Sequence, residues 1–235
     1  MTNLFIDKIQ TIKAEWDDEG IYVYQAFNDS IADFALEHGF LGGPEFKTTR
    51  MTWIKPSFAW MLYRSNYGGL DKQTHSKNQS RILKIKISHS DFAQLLSHCG
   101  CGDNGGKKAR VQWDPERDLF EAGNDNRPRK MLNKRAIQIG LSHEFSKKYV
   151  SSAISIEDVT NLAHSIGQAH RTKPPNKKIT KSVAIKQAMN LLDLPEERLY
   201  IPHCSNDVLI NIAMCPGKQS YNEALKGHGK WRKKM

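Results

Sequence analysis

The chain has 235 residues, enough for one generous domain or two small ones with a real core, which excludes a small disulfide scaffold. Apolar residues make up only 39%, yet five tryptophans, seven tyrosines and nine phenylalanines are too many for a disordered chain. The net charge of +10 is uneven: residues 171–235 hold 13 Lys and Arg against 5 Asp and Glu, so the basic character belongs to the last part of the chain.

Ile21-Tyr-Val-Tyr-Gln-Ala-Phe27 is rich in β-branched and aromatic residues and predicts a strand. Asn28 or Asp29 then caps a helix whose Ile31, Phe34, Ala35 and Leu36 fall at helical spacing and which Gly39 ends. A loop runs from Gly42-Gly43-Pro44 to Arg50, and residues 57–63 predict a short helix capped by Ser57. Residues 68–80 are polar and predict a mobile segment. Residues 81–87 alternate apolar and basic side chains, the pattern of a half-buried strand with one wet face. Ser88 or Ser90 opens a helix through Leu96, and the glycine-rich stretch 100–106 leads to a strand at 109–113. Pro115 is expected to turn the chain, which continues as a polar, turn-rich segment to Lys134. Residues 136–141 predict a strand followed by a helix from Ser142, and residues 154–156 a last strand, after which Asp158 caps a helix from Val159 to about Ile166. Pro174-Pro175 keeps the basic stretch 171–181 out of helix, and helices are expected at 182–192 and 207–214. No repeat or heptad occurs. The strands are too mixed in polarity for a buried parallel sheet, so the expected class is α+β, with mixed, mainly antiparallel sheets and flanking helices. This α+β domain is expected over residues 1–167, with a basic, partly helical C-terminal extension over 168–235 packed on it.

No stretch reaches the roughly 20 uninterrupted apolar residues that span a bilayer, and MTNLFIDKIQTIKAEW lacks the features of a secretory signal, so a cytoplasmic location and no membrane partner are expected. Cys99, Cys101, Cys204 and Cys215, even with His98 and His203, match no zinc spacing; reduced thiols and no metal are expected. The basic clusters at 171–181 and 226–235 are either solvated arms or contacts to a polyanion. No Walker loop, G-x-G-x-x-G, H-E-x-x-H or G-x-S-x-G occurs, which disfavours the common ATPases, Rossmann dehydrogenases, zincins and α/β-hydrolases.

The densest candidate stretch is 50–64, where Arg50, Lys55 and Arg64 stand among Trp53, Trp60 and Tyr63. Rings stack on a base while guanidinium and ammonium groups hold phosphates, so a nucleotide or nucleic acid is the natural ligand. The competing reading is an amphipathic helix burying Phe58, Met61 and Leu62 with the cations at its rim. In Val111-Gln-Trp-Asp-Pro-Glu-Arg117, Gln112 and Asp114 share one strand face, which fits either a site or a polar turn with a salt bridge. Glu157 leaves a strand just before a helix, a frequent catalytic placement and equally one that the helix dipole favours.

In order and spacing, IYVYQAFNDSIADFALEHGFLGGPEF, RMTWIKPSFAWMLYRSNYG, VQWDPERD, AIQIGL and SIEDV resemble the domain-of-unknown-function family 4291 over about residues 20–165, with LPEERLYIP similar to its closing segment. The segment order is similar, in turn, to the ADP-ribosyltransferase fold. That resemblance implies NAD as substrate: Tyr24 or Gln25 on the nicotinamide side, Arg50 facing the pyrophosphate, Tyr63 stacking on nicotinamide, and Glu157 orienting the ribose and stabilising the oxocarbenium-like transition state. The first strand carries neither the histidine nor the arginine of the well-known subclasses, and no Ser-Thr-Ser or Glu-x-Glu motif is present. The candidate catalytic residues are thus Glu157 and Gln25, and the candidate cofactor-binding residues Tyr24, Arg50, Trp53, Lys55, Ser57, Trp60, Tyr63 and Arg64. The expected function is ADP-ribosyl transfer from NAD, with nucleic acid as acceptor; the alternative is a non-catalytic nucleic-acid-binding module.

Overall fold

A computed structural model describes residues 10–70, 78–101, 108–121 and 130–214. The basic stretch 226–235, Cys215 and much of the glycine-rich stretch 100–106 lie outside the described residues. The chain runs β1 (Ile12–Ala14), β2 (Gly20–Phe27), α1 (Asp29–His38), β3 (Thr52–Ile54), α2 (Phe58–Gly69), β4 (Arg81–Ser88), α3 (His89–Ser97) and β5 (Gly100–Cys101). It continues with β6 (Ala109–Arg117), β7 (Met131–Leu141), α4 (Glu144–Ser151), β8 (Ala153–Asp158), α5 (Thr160–Arg171), α6 (Lys181–Met189), β9 (Arg198–Tyr200) and α7 (Asn206–Asn211). The class is α+β, and among the described residues every strand pairing but β5 with β6 is antiparallel.

Two sheets set the architecture. β2 pairs with β4 along all eight residues, and β4 carries β8 on its other edge. The second sheet has the order β3-β7-β6-β5, and a bridge between Tyr24 and Lys55 joins the two. Strand alternation explains the packing: Ile21 and Val23 of β2 and Leu83, Ile85 and Ile87 of β4 meet Val111, Ile137, Ile139 and Leu141 of the second sheet, with Phe92, Leu95 and Leu96 of α3. The residues between them, Tyr24 and Ile82, face the other way, onto Phe58, Met61 and Leu62 of α2 and Ala163 and Ile166 of α5. Each fully buried Leu, Ile or Phe contributes about 1.5–3 kcal/mol. An exposed pair such as Lys108–Glu144 contributes about 1 kcal/mol at most, so these two clusters hold the fold.

Local signals settle most boundaries. Asn28 caps α1, its side chain accepting from the Ile31 amide, and Gly39, at φ 75°, ends it. Ser57 caps α2 and Ser88, rather than Ser90, caps α3. Several expectations need correction. Pro115 does not turn the chain: β6 runs through it to Arg117, and the missing amide is absorbed by a register irregularity between Pro115 and Arg117. Its partner β7 begins at Met131, five residues before the predicted start. Asp158 is the last residue of β8, not the α5 cap; one carboxylate oxygen accepts from the Thr160 amide at 2.8 Å and the other from Arg81. The helices expected at 182–192 and 207–214 are shorter, Lys181–Met189 and Asn206–Asn211. The short strands β1, β3, β5 and β9 had no counterpart in the sequence pattern. α5 crosses position 167, α6 packs on it, and β9 returns to pair with β1 at the start of the described chain.

Candidate functional site

A cleft of about 780 Å³ opens where the end of β2, the β3 edge of the second sheet and α2 converge. Its walls carry Lys47, Arg50, Lys55 and Arg64, the rings of Phe27, Phe46, Trp53 and Trp60, and the amides of Gln25, Asn28, Gln112 and Gln138. Glu45 is the one carboxylate among the described lining residues, and the Asn28 amide already donates to it at 2.5 Å. The stretch 50–64 therefore delivers five of its cations and aromatic rings, Arg50, Trp53, Lys55, Trp60 and Arg64, to the cleft.

Period-two alternation on β3 puts Trp53 on one sheet face and sends Lys55, two residues on, to the same side. Trp53 faces Gly140 in register, and its ring fills the place of a side chain there: a Cβ on Gly140 would stand 2.9 Å from the indole and 2.6 Å from Met51 Sδ. The Arg110 guanidinium, opposite Gly140 on the other side, lies 5.4 Å from the Trp53 ring centre.

Lys55 is the least ordinary group in the cleft. It is 4% exposed, and its ammonium nitrogen sits 4.6 Å from the centre of the Trp60 ring. Among the described residues no carboxylate lies within salt-bridge distance of it. Burial, helped by the nearby charge of Arg64 and opposed by Asp114, pushes its amine down to about 7. Burial likewise raises Asp114, whose Oδ2 is enclosed without a hydrogen-bond partner, as is the Trp60 indole N–H. Among the described residues neither the Lys55 amine nor the Trp60 indole N–H has an acceptor, an arrangement that suits an incoming ligand oxygen.

The other candidates lie elsewhere. Gln25 lines the cleft, but its amide nitrogen donates to Thr52 Oγ1 at 2.7 Å and to the Trp53 carbonyl at 3.2 Å, and its oxygen accepts from Tyr149 Oη at 2.8 Å. It clamps β2 to β3. Tyr24 is fully buried beneath α2, its hydroxyl donating to Glu15 at 2.9 Å. Ser57 Oγ accepts from the Trp60 amide and donates to buried Glu116, so it holds the start of α2. Tyr63 lies outside the lining, with the Arg117 guanidinium 3.6 Å over its ring. Glu157 is exposed on the edge strand β8 and stands outside the lining. Register explains this: Tyr24, Lys84 and Glu157 form one cross-strand row, while Gln25, Leu83 and Asp158 form the next, on the opposite face. Glu157 and Gln25 thus occupy opposite faces of the same sheet.

Residues that sequence reasoning left out of the site include Phe27, Glu45, Phe46, Lys47 and Gln138. Gln112 was visible by its strand alternation, but nothing local linked it to the 50–64 stretch. Among the described residues no group of three or more His, Cys, Asp or Glu side chains is placed to hold a metal ion, and no helix is long and apolar enough to cross a membrane. Cys99 is buried, its thiol donating to the Leu95 carbonyl.

No curated protein matches the chain. The pieces that build the cleft, from the first long strand through the tryptophan-rich helix to the paired β6–β7 ladder, all fall within residues 11–200, and over those residues the chain matches, and belongs to, the family of the domain of unknown function DUF4291.

Proposed function

We propose that the cleft binds a phosphate-bearing nucleotide of the NAD class. One observation carries this reading: among the described residues four cations and four aromatic rings line a single cleft against one already bonded carboxylate. Cations focused in a partly enclosed cleft attract a diphosphate, and the half-buried Trp53 offers a face on which a base or nicotinamide ring stacks. Lys55 and Arg64 suit the phosphates, because a buried, unpaired lysine regains a stable charge only beside an anion.

The likeness of segment order to ADP-ribosyltransferases supports ADP-ribosyl transfer from NAD, with nucleic acid as an acceptor attracted by the basic chain, as the reaction that follows binding. The position of Glu157 favours a second reading, nucleotide or nucleic-acid binding without catalysis, because a carboxylate that steadies a ribosyl cation has to stand beside it. Calorimetric titration with NAD and ADP tests the binding. Arg64→Ala and Lys55→Met should each weaken it by about 1–3 kcal/mol, the range for hydrogen bonds to charged groups. Affinities unchanged in both variants refute the cleft as the site. Incubation with labelled NAD and DNA, RNA or protein then separates the two readings, and Glu157→Gln decides whether that carboxylate takes part in any transfer seen.

A further inference from the structure

We propose that Gln112 and Gln138 act as one paired amide that selects adenine among bases entering the cleft, an inference that rests on the nucleotide-binding reading above. The two residues face each other across the β6–β7 ladder, both line the cleft, and Gln138 Nε2 donates to Gln112 Oε1 at 2.8 Å. Neither side chain has another hydrogen-bond partner among the described residues. A cross-strand glutamine pair on a partly wet face, with no other partner among the described residues, contributes little to the fold.

The bond leaves Gln138 Oε1 as an acceptor and Gln112 Nε2 as a donor for a ligand. Rotating both amides by a half turn exchanges their roles and leaves the same pair of free groups, so the complement does not depend on which amide atom is oxygen and which nitrogen. Adenine presents the matching edge, an N6–H donor next to the N7 acceptor, the contact that a single glutamine makes in a DNA major groove. Guanine presents two acceptors there, O6 and N7, and sets O6 against Gln138 Oε1. Cytosine, with N4–H and N3, and uracil, with O4 and N3–H, also pair a donor with an acceptor, but on a single ring that leaves less surface to stack.

The surroundings place a base at this pair. The Trp53–Gly140–Arg110 row lies on the same face, two residues away along β7, which is about 7 Å. A ring stacked on Trp53 therefore holds its polar edge toward the amides. Lys55, on the Trp53 side of the cleft, and Arg64, on α2, remain for the phosphates. The molecule then reads its ligand in two parts, a base at the β6–β7 ladder and a diphosphate at the β3–α2 junction.

The experiment is a calorimetric comparison of ADP, GDP, CDP and UDP on the wild-type chain and on Gln112→Ala, Gln138→Ala and the double variant, each first checked by thermal unfolding. The wild type should prefer ADP by about tenfold or more, the lower part of the range for a matched base edge. Each single variant should bring ADP down to the GDP affinity while leaving GDP unchanged. Four equal affinities in the wild type, or an ADP preference that survives in the double variant, overturn the selectivity and leave nucleotide binding intact. If none of the four diphosphates binds, the nucleotide reading falls and this inference with it. Loss of ADP and GDP binding together in the variants also overturns the proposal, because it assigns the amides to something other than the base edge.

Discussion

Replacing Lys55 by Met tests whether the amine at the base of the cleft is as isolated as its surroundings imply. In the unfolded chain a lysine titrates near 10.5, whereas burial holds Lys55 down to about 7 in the folded protein. Between those values the unfolded state binds more protons than the folded one, so Lys55 makes stability rise with pH through that window. Each unit of pKa shift corresponds to 1.36 kcal/mol, so below about pH 7 the buried ammonium destabilises the fold by an amount on the order of 5 kcal/mol, and the penalty disappears toward pH 10.5. Methionine matches the length of the lysine stem without the charge; it forfeits only the contact to Trp60, worth about 0.5–2 kcal/mol. Lys55→Met should therefore be the more stable protein at pH 6–7, and its advantage should shrink by about 2 kcal/mol between pH 7 and pH 9. Urea denaturation of both proteins at half-unit pH steps gives the difference directly, and other titrating groups cancel in it. A difference that stays flat from pH 7 to pH 9, or a destabilised variant at pH 6, would show that Lys55 is either solvated or paired, and the argument for an anion site would lose its strongest member.

Gly140→Ala should push Trp53 off the sheet, because the new methyl meets the indole and Met51; overpacking of this kind costs about 1–3 kcal/mol, and tryptophan fluorescence together with ADP affinity reports it. Gln25→Ala removes the clamp between β2 and β3 and leaves the Tyr149 hydroxyl buried and unsatisfied, a loss of about 1–3 kcal/mol measurable as a lower denaturation midpoint. Burial, reinforced by Glu116, raises the Glu197 carboxyl to about 8, so the folded state holds its proton longer than the unfolded one and stability falls as pH rises from about 4.5 to 8; Glu197→Gln should flatten that fall in a pH series of unfolding curves, and an unchanged slope would refute it. Glu157→Gln should leave NAD and ADP affinity within twofold, since its side chain lies outside the cleft; a tenfold loss would contradict that placement.

Much of this molecule is written locally. The caps at Asn28, Ser57 and Ser88 and the stop at Gly39 act within one turn of helix, and the alternation in Arg81–Ser88 needs only a pleat. The cationic and aromatic stretch 50–64 was legible for the same reason, since nearly all its site members are neighbours in the chain. Short strands were not legible, because three residues such as Thr52–Ile54 become a strand only when a partner lies alongside. Nor did the sequence indicate that β6 would pass through Pro115, which depends on how the ladder slips there. The site was completed in three dimensions. Which face Glu157 occupies follows from pairing register, where a step of one residue reverses every side chain, and no local signal sets that register. The burial of Lys55 arises from α2 and the second sheet closing around it, so its lowered basicity belongs to the assembled fold. Residue type determined what Lys55, Trp53, Gln112 and Gln138 could do; only the pairing of β3, β7 and β6 decided that they would do it in one place, because chain proximity fixes helices and turns, whereas a cleft is made by segments that meet through long-range packing.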